Sequence, residues 1–392
     1  MNGHLRILRE DEVPAAARSA ALAFASDVEG CARWLRDAGL DACARAFVLD
    51  GQPAGYLLRL PMGQFVHGQR VPMVGVAGVS VPPERRGGGV ARAMMERFVV
   101  TARQEGFALS TLFPSTQPLY RAVGYEHSAT RFEHALHRGD LAGLRGAGSG
   151  LDIRPVTAED PAVRALHRRF AAGVHGALDR EEYVWARVSR RHRTSFDGFG
   201  LFRGEALEGY VFVAQTSEGE QITLRVQDFA YGSRDGAEGI LAFLDRFTSV
   251  VSVVRMYGGP TLPMLSLLEQ QWHHARRAEL AMTRVLDVRR ALETRGYPAA
   301  LEVTLGLRVR DALVPENDGA FTLRVLDGRG TVTPGADPPG LSLDVRWLAP
   351  MYMGLHRAST LAGLGVVEGD PASLARADAL FSAEPPAVAD YF

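Results

Sequence analysis

Arg85-Arg86-Gly87-Gly88-Gly89-Val90-Ala91-Arg92 stands between a valine-rich run, Val74, Val76, Val79 and Val81, and apolar residues at helical spacing, Val90, Met94, Phe98 and Thr101. Three consecutive glycines remove side chains where a backbone must approach a ligand, and the free N–H groups of a helix start attract phosphate or pyrophosphate. The flanking arginines add charge. No Lys-Ser/Thr follows the glycines, and the spacing and acidic partner of a dinucleotide fingerprint are missing. A solvated loop shares this composition, so the turn alone leaves both readings open. Tyr120 precedes the pair Gly124-Tyr125 by four residues, just after an apolar run at Phe107 to Phe113. A phenol there can give up a proton, or it can rest its hydroxyl on a backbone carbonyl.

These residues need elements to position them. A strand at residues 5–9, a helix over Ala15–Phe24 with Asp11 or Glu12 near its start, and a helical piece over Glu29–Arg36 open the chain. Asp50-Gly51 marks a hairpin between Ala46–Leu49 and Ala54–Leu60, and Gly68-Gln69 turns into the strand ending at Pro82-Pro83. Phe107–Phe113 is short enough for a buried strand. Gly143 to Gly150 reads as a linker, after which Leu151–Val156 echoes the opening strand. Helices over Ala162–Val174, Glu181–Arg190 and Ala237–Val250, with strands near Tyr210–Gln215, Ile222–Ala230 and Val251–Met256, repeat the first order of elements. Gly232-Ser233-Arg234-Asp235-Gly236 stands where the glycine turn would recur, so this copy is expected to bind no cofactor. From Leu286 a third pattern begins: helices at Val288–Thr294, Trp347–His356 and Ser359–Leu364, strands at Leu301–Val309, Ala320–Leu326 and Leu341–Val345.

With 392 residues, 46% apolar and 23% charged, the chain is long enough for two or three globular domains. A net charge of −1, with arginine greatly outnumbering lysine, argues against a dedicated nucleic-acid binder. Cys31 and Cys43 fit no metal or disulfide spacing, and no apolar run reaches membrane-spanning length, so a cytoplasmic protein without a membrane partner is expected. His134-x-x-His137 and Trp272-His273-His274 lack carboxylate partners at metal-site spacing, and no metal is expected. Arg190-Arg191-His192-Arg193 reads as a solvated helix end.

Arg86-x-x-Gly89-x-Ala91 after a valine-rich strand resembles the acetyl-CoA pyrophosphate loop of the GNAT acetyltransferases. The resemblance implies acetyl-CoA as co-substrate, with its pyrophosphate on Arg86, Gly87, Gly88, Gly89, Val90, Ala91 and Arg92. Its pantetheine arm would lie along Val79, Ser80 and Val81, with further contacts at Ser115 and Thr116. Tyr120 matches the position of the acid that protonates the departing thiolate. Leu286–Tyr297 and Gly354–Ala362 extend the likeness to the Eis (enhanced intracellular survival) proteins across the whole chain. That resemblance implies an α+β architecture. A GNAT domain would occupy residues 1–145, a degenerate GNAT-like domain 151–284, and a sterol-carrier-like α/β domain 285–392.

It further implies an N-acetyltransferase acting on primary amines of aminoglycoside-like polycations or on lysine side chains, and a homo-oligomer, a hexamer in that family. The carboxylate of Phe392 would be the base, and Phe24, Asp27, Trp34 and Glu279 would face the amine. Two rival expectations stay open: a double-GNAT transferase with another acceptor, and a lipid or acyl-CoA binding protein.

Overall fold

A computed structural model of the chain describes residues 3–144, 150–191, 193–218, 221–335 and 340–392. Met1, Asn2, His192 and residues 145–149 of the expected linker lie outside the described residues. The chain forms two compact units that alternate along the sequence. Residues 1–129, 280–386 and 391–392 make the first, and residues 130–279 and 387–390 the second.

In the first unit β1 (Gly3–Ile7), α1 (Val13–Phe24) and α2 (Val28–Asp37) precede a meander of β2 (Ala44–Leu49), β3 (Gln52–Val66) and β4 (Gln69–Ser80). Asp50-Gly51 and His67-Gly68 all take positive φ, the left-handed pair that closes a two-residue hairpin. The second turn therefore lies one residue before the expected Gly68-Gln69. α3 (Val90–Gln104) then leads to β5 (Leu109–Leu112), parallel to β4, to α4 (Gln117–Arg121) and to β6 (Glu126–His137). Val90, Met94, Met95, Phe98, Val99 and Ala102 form the buried stripe of α3, clustered with Phe47, Leu57, Val74 and Val76. Burying such side chains contributes roughly 1.5–3 kcal/mol each, which fixes the helix on the sheet. Ala102 takes the place expected of Thr101, which is only half-buried.

The second unit contains the end of β6, α5 (Arg138–Leu141), β7 (Asp152–Val156), α6 (Pro161–Ala172), β8 (Leu178–Asp179) and α7 (Glu182–Ser189). It continues with β9 (Arg190–Arg191), β10 (Thr194–Ser195), β11 (Asp197–Arg203), β12 (Ala206–Glu218), β13 (Gln221–Tyr231), α8 (Arg234–Asp245), β14 (Val253–Gly258) and the start of β15 (His274–Val285). Its sheet runs β6-β14-β13-β12-β11-β7, with only β13 and β14 parallel. Leu136, Leu224, Val226, Val254 and Met256 pack with Ile240, Leu241 and Leu244 of α8. The arginine run starts at a helix end as expected, with Arg190 the exposed C-cap of α7, but it continues into a short hairpin in which Arg190-Arg191 pair with Thr194-Ser195 and Arg191 is half-buried.

β6 and β15 are the strands that pass between units. Residues 132–137 of β6 pair with β14 in the second unit, whereas Met282–Val285 of β15 pair with β5 in the first. Sequence patterning assigns neither, because charged residues interrupt the alternation. Arg284 shows the reason: it is completely buried, and its Nη2 donates to both oxygens of Asp311 at 2.8 and 2.6 Å. Asp311 also accepts from Leu313 N, Val314 N and Asn317 Nδ2. Removing one member of such a pair leaves an uncompensated buried charge. Arg284→Met is expected to cost about 3–5 kcal/mol in urea unfolding, and adding Asp311→Leu to recover only part of it, because Leu313 N, Val314 N and Asn317 Nδ2 then lose their acceptor.

After β15 the first unit resumes with α9 (Val288–Thr294), β16 (Val303–Arg310), β17 (Gly319–Leu326), β18 (Arg329–Pro334), β19 (Leu341–Asp344) and α10 (Val345–Tyr352). α11 (Ala358–Gly363), β20 (Val367–Glu368) and α12 (Pro371–Leu380) complete it around a separate sheet of order β18-β17-β16-β19-β20. Among the described residues no helix is long and apolar enough to cross a membrane.

Candidate active site

β4 and β5 pair from Met73–Leu109 to Val76–Leu112 and no further. Just beyond, the β3–β4 register slips: Leu58 faces Ala77 while Tyr56 faces Ser80, so β4 carries one extra residue, a bulge. Gly78 sits in it at φ +61°, and a Cβ there would meet the Trp34 ring at 2.7 Å. The parallel pair thus opens at Val79, Ser80 and Val81, beside an indole face. Ser80 Oγ is buried without a hydrogen-bond partner, and Val81 O accepts from Arg86 Nε at 2.9 Å.

The glycine turn is exposed. Gly87 and Gly89 need their positive φ of 81° and 78°. Gly88 has an ordinary φ and open space where a Cβ would stand, so neither conformation nor packing in this chain requires glycine there. α3 begins at Val90 with no side-chain cap, and Ala93 N is the first amide to bond back, to Gly89 O at 3.0 Å. The amides from Gly87 to Arg92 point to no protein acceptor among the described residues. Uncapped amides at a positive dipole end, with room for close approach, fit a pyrophosphate.

Tyr120 lies on α4, past the open end of β5. Ser115 and Thr116, before it, are exposed. Its ring is buried and packs edge-on to Tyr125 at 6.0 Å, and burial pushes its phenol up to about 12. Its hydroxyl bonds to no described residue, unlike Tyr125, whose hydroxyl donates to Ser110 Oγ at 2.8 Å. Tyr125 therefore packs, and Tyr120 keeps a free proton. Gly124 is required between them: its φ is +86°, and a Cβ would stand 2.8 Å from Arg284 Nε.

The chain end is held rather than frayed. In the second unit Ala387 N donates to His175 O at 2.8 Å, Val388 N to Thr130 O at 3.1 Å, and Arg131 Nε to Ala389 O at 2.8 Å. Asp390 pairs with the buried Arg180 at 2.8 Å, which also grips Asp228 with two bonds of 2.7 Å. Burial alone would raise the Asp228 carboxyl, but the Arg180 charge holds it below the usual range. In the first unit Tyr391 and Phe392 pack against Phe113, at 4.8 and 5.5 Å between ring centroids, and Phe392 is 7% exposed. Its ring lies over Gly75 of β4, where a Cβ would come within 2.7 Å. Phe113, Gly75 and Gly78 carry no reactive group, and sequence reading passed over them. Gly75→Ala is expected to displace the terminus and lower kcat roughly 10- to 100-fold with the KM for acetyl-CoA unchanged, read in steady-state kinetics.

Phe24 ends α1 and Asp27 lies on the turn to α2, both exposed, and Asp27 also caps α2 by accepting from Gly30 N at 2.5 Å. Glu279 belongs to the second unit, and Arg131 Nη1 donates to it at 2.9 Å. His134 is a core histidine: its Nε2 lies 2.8 Å from Gly259 O, its Nδ1 is buried without a hydrogen-bond partner, and burial lowers its pKa.

Family models place an acetyltransferase (GNAT) domain at residues 4–128, a second at 176–289 and a sterol carrier protein domain at 288–389. The N-acetyltransferase Eis of Mycobacterium tuberculosis is 26% identical, over 85% of this chain and 84% of that protein. A GCN5-related N-acetyltransferase from Anabaena variabilis superposes with a TM-score of 0.94 at 28% identity, covering 100% of both chains. Eis1 from Mycobacterium abscessus shares the fold, with a TM-score of 0.78 at 20% identity over 100% of both chains. GNAT enzymes use acetyl-CoA as co-substrate. Two acetyltransferase domains and a sterol carrier protein domain in this order, matched across most of the length by Eis, make the chain an Eis-type GNAT N-acetyltransferase.

Proposed function

We propose that the first unit transfers acetyl from acetyl-CoA to a primary amine of a polycationic small molecule, aminoglycoside-like in its charge, by direct attack. The observation that carries this reading is the buried, unbonded phenol of Tyr120 in the same unit as the opened β4–β5 pair and the anchored Phe392. Acetyl-CoA supplies the acyl group as a thioester. The amides from Gly87 to Arg92 hold its pyrophosphate, and the freed edge of β4 at Val79 to Val81 aligns its arm. A β4 amide near Val81 receives the charge that develops on the thioester oxygen. The Phe392 carboxylate takes a proton from the bound ammonium, which frees the amine lone pair to attack the thioester carbon. Tyr120 gives its proton to sulfur as the C–S bond breaks, and the second proton released by the nitrogen returns to the Tyr120 phenolate through solvent. Trp34, Phe24 and Asp27 suit a cationic acceptor, two by ring faces and one by charge. Glu279 is weaker in that role while Arg131 neutralises it.

The test is CoA-thiol release from acetyl-CoA with a panel of aminoglycosides, linear polyamines and a lysine-containing peptide. The chain contains no lysine, so no ε-amine of its own contributes background. Turnover with the polycations supports the acceptor class. Acetyl-CoA binding without turnover of any of them removes it and points to another acceptor.

A further inference from the structure

In the second unit α8 follows β13 as α3 follows β4, yet its start is closed: Ser233 Oγ accepts from Gly236 N at 3.1 Å, and no run of three glycines precedes it. What this unit does hold is a piece of the chain itself. Residues 387–390 belong to it. Ala387 forms a parallel bridge with Thr130 of β6, and a Cβ on Gly176, at φ +93°, would stand 2.9 Å from Ala387 O. Backbone bonds from Ala387, Val388 and Ala389 fix the path of the segment. At Asp390 the hold passes to a side chain.

The Arg180 guanidinium serves two carboxylates at once. Its Nη1 and Nη2 donate to the two oxygens of Asp228, both at 2.7 Å. Asp390 closes on the other edge, with Oδ2 accepting from Nε at 3.0 Å and Oδ1 lying 2.8 Å from Nη2. Asp228 is built into the core: it is buried on β13, and its Oδ2 also accepts from Tyr210 Oη at 2.8 Å, itself 3.3 Å from His167 Nδ1. The Trp185 ring of α7 lies 4.9 Å from the guanidinium and packs edge-on to His167 at 5.1 Å. α6, α7, β12 and β13 thus fix the plane of Arg180. Asp228 alone would neutralise it, so the second carboxylate is surplus to the charge of this buried pair. What the second fork supplies is direction, because two oxygens on a planar guanidinium are set in position and in plane.

We infer that Arg180 is a positioning residue for the general base: its fork on Asp390 sets the depth and direction of the Phe392 carboxylate two residues further on. The second unit then serves acetyl transfer by holding this fork. The inference rests on the assignment of the Phe392 carboxylate as the base. From Asp390 to Phe392 the chain can reach at most about 7 Å, so a small turn of the Asp390 carboxyl moves the terminal charge.

The experiment is a double-mutant cycle on the full chain, with D390N as one change and a semisynthetic Phe392 carboxamide as the other. D390N turns an amide N–H toward donors that met an oxygen, so this fork opens while Asp228 stays paired. It is expected to lower kcat roughly 10- to 100-fold, the loss that a misplacement of about 1 Å brings, with the KM for acetyl-CoA and the melting temperature unchanged. In the carboxamide chain, where the charge to be positioned is missing, D390N should change kcat by less than about twofold. R180K keeps the buried charge but not the forks and should reproduce the loss; since it also loosens Asp228, D390N decides between the outcomes. An equal loss from D390N in both chains would overturn the inference by making Asp390 a structural contact. Native kcat in D390N, alongside an inactive carboxamide chain, would overturn it too and leave Phe392 as the base. A carboxamide chain as active as the native one would remove the base assignment itself, and the inference with it.

Discussion

Extending the chain by one glycine beyond Phe392 is expected to lower kcat for acetyl transfer by roughly 10²–10⁴-fold, the range a positioned general base supplies, while acetyl-CoA binds as before. Chain ends fray by default, because ordering each residue costs about 1–2 kcal/mol. Four consecutive residues, Ala387 to Asp390, are nevertheless fixed by backbone bonds and by the Arg180 and Arg131 side chains. Two aromatic rings then bury the end against Phe113 and Gly75. Such anchoring places an α-carboxylate at a defined depth, and one added residue moves the charge by about 3.5 Å. Equilibrium binding of acetyl-CoA and steady-state kinetics on the same preparation separate the two effects. Unchanged kcat would leave the anchoring a matter of stability alone.

Tyr120→Phe is expected to lower kcat roughly 10²–10⁴-fold with little change in the KM for acetyl-CoA or in melting temperature. Little stability is at stake because the hydroxyl makes no hydrogen bond to the described protein. The pH dependence sharpens this. An acid works while protonated, and burial raises this phenol from about 10 to about 12. The alkaline limb of kcat therefore should not fall at the ordinary phenol value, and activity should hold to the limit of protein stability. A limb near pH 10 that vanishes in Tyr120→Phe would show a phenol exposed to water and remove the buried-acid geometry.

The parts of the site that lie next to one another in sequence were legible there. Gly87 to Ala91 follow a valine strand and precede an apolar helical stripe, and local geometry alone makes those residues meet. The first three strands, α1 to α3 and the five expected elements after Leu301 carry clean periodicity for the same reason. β6 and β15 do not, since Arg131, Glu133 and Arg284 find their partners in Glu279, Arg255 and Asp311, far along the chain. Alternation cannot report a charge that is buried because a distant residue neutralises it. The packing of Trp34 over Gly78 and of Phe392 over Gly75 was equally invisible: glycine at either place reads as a weak strand residue until the ring that needs the space is seen. Asp27 shows the converse: its place before a helical stretch is legible as a cap, which it is, while a role toward the amine comes only from the family resemblance.

The central claim is that the charge at Phe392, not the bulk of the anchored tail, removes the amine proton. The most direct measurement compares the native chain with a semisynthetic one ending in Phe392 carboxamide, which keeps every ring and backbone contact and deletes only the charge. A kcat lower by 10²-fold or more, with unchanged acetyl-CoA affinity and melting temperature, is the predicted result. Equal turnover by the amidated chain would contradict it and require the base to be another group.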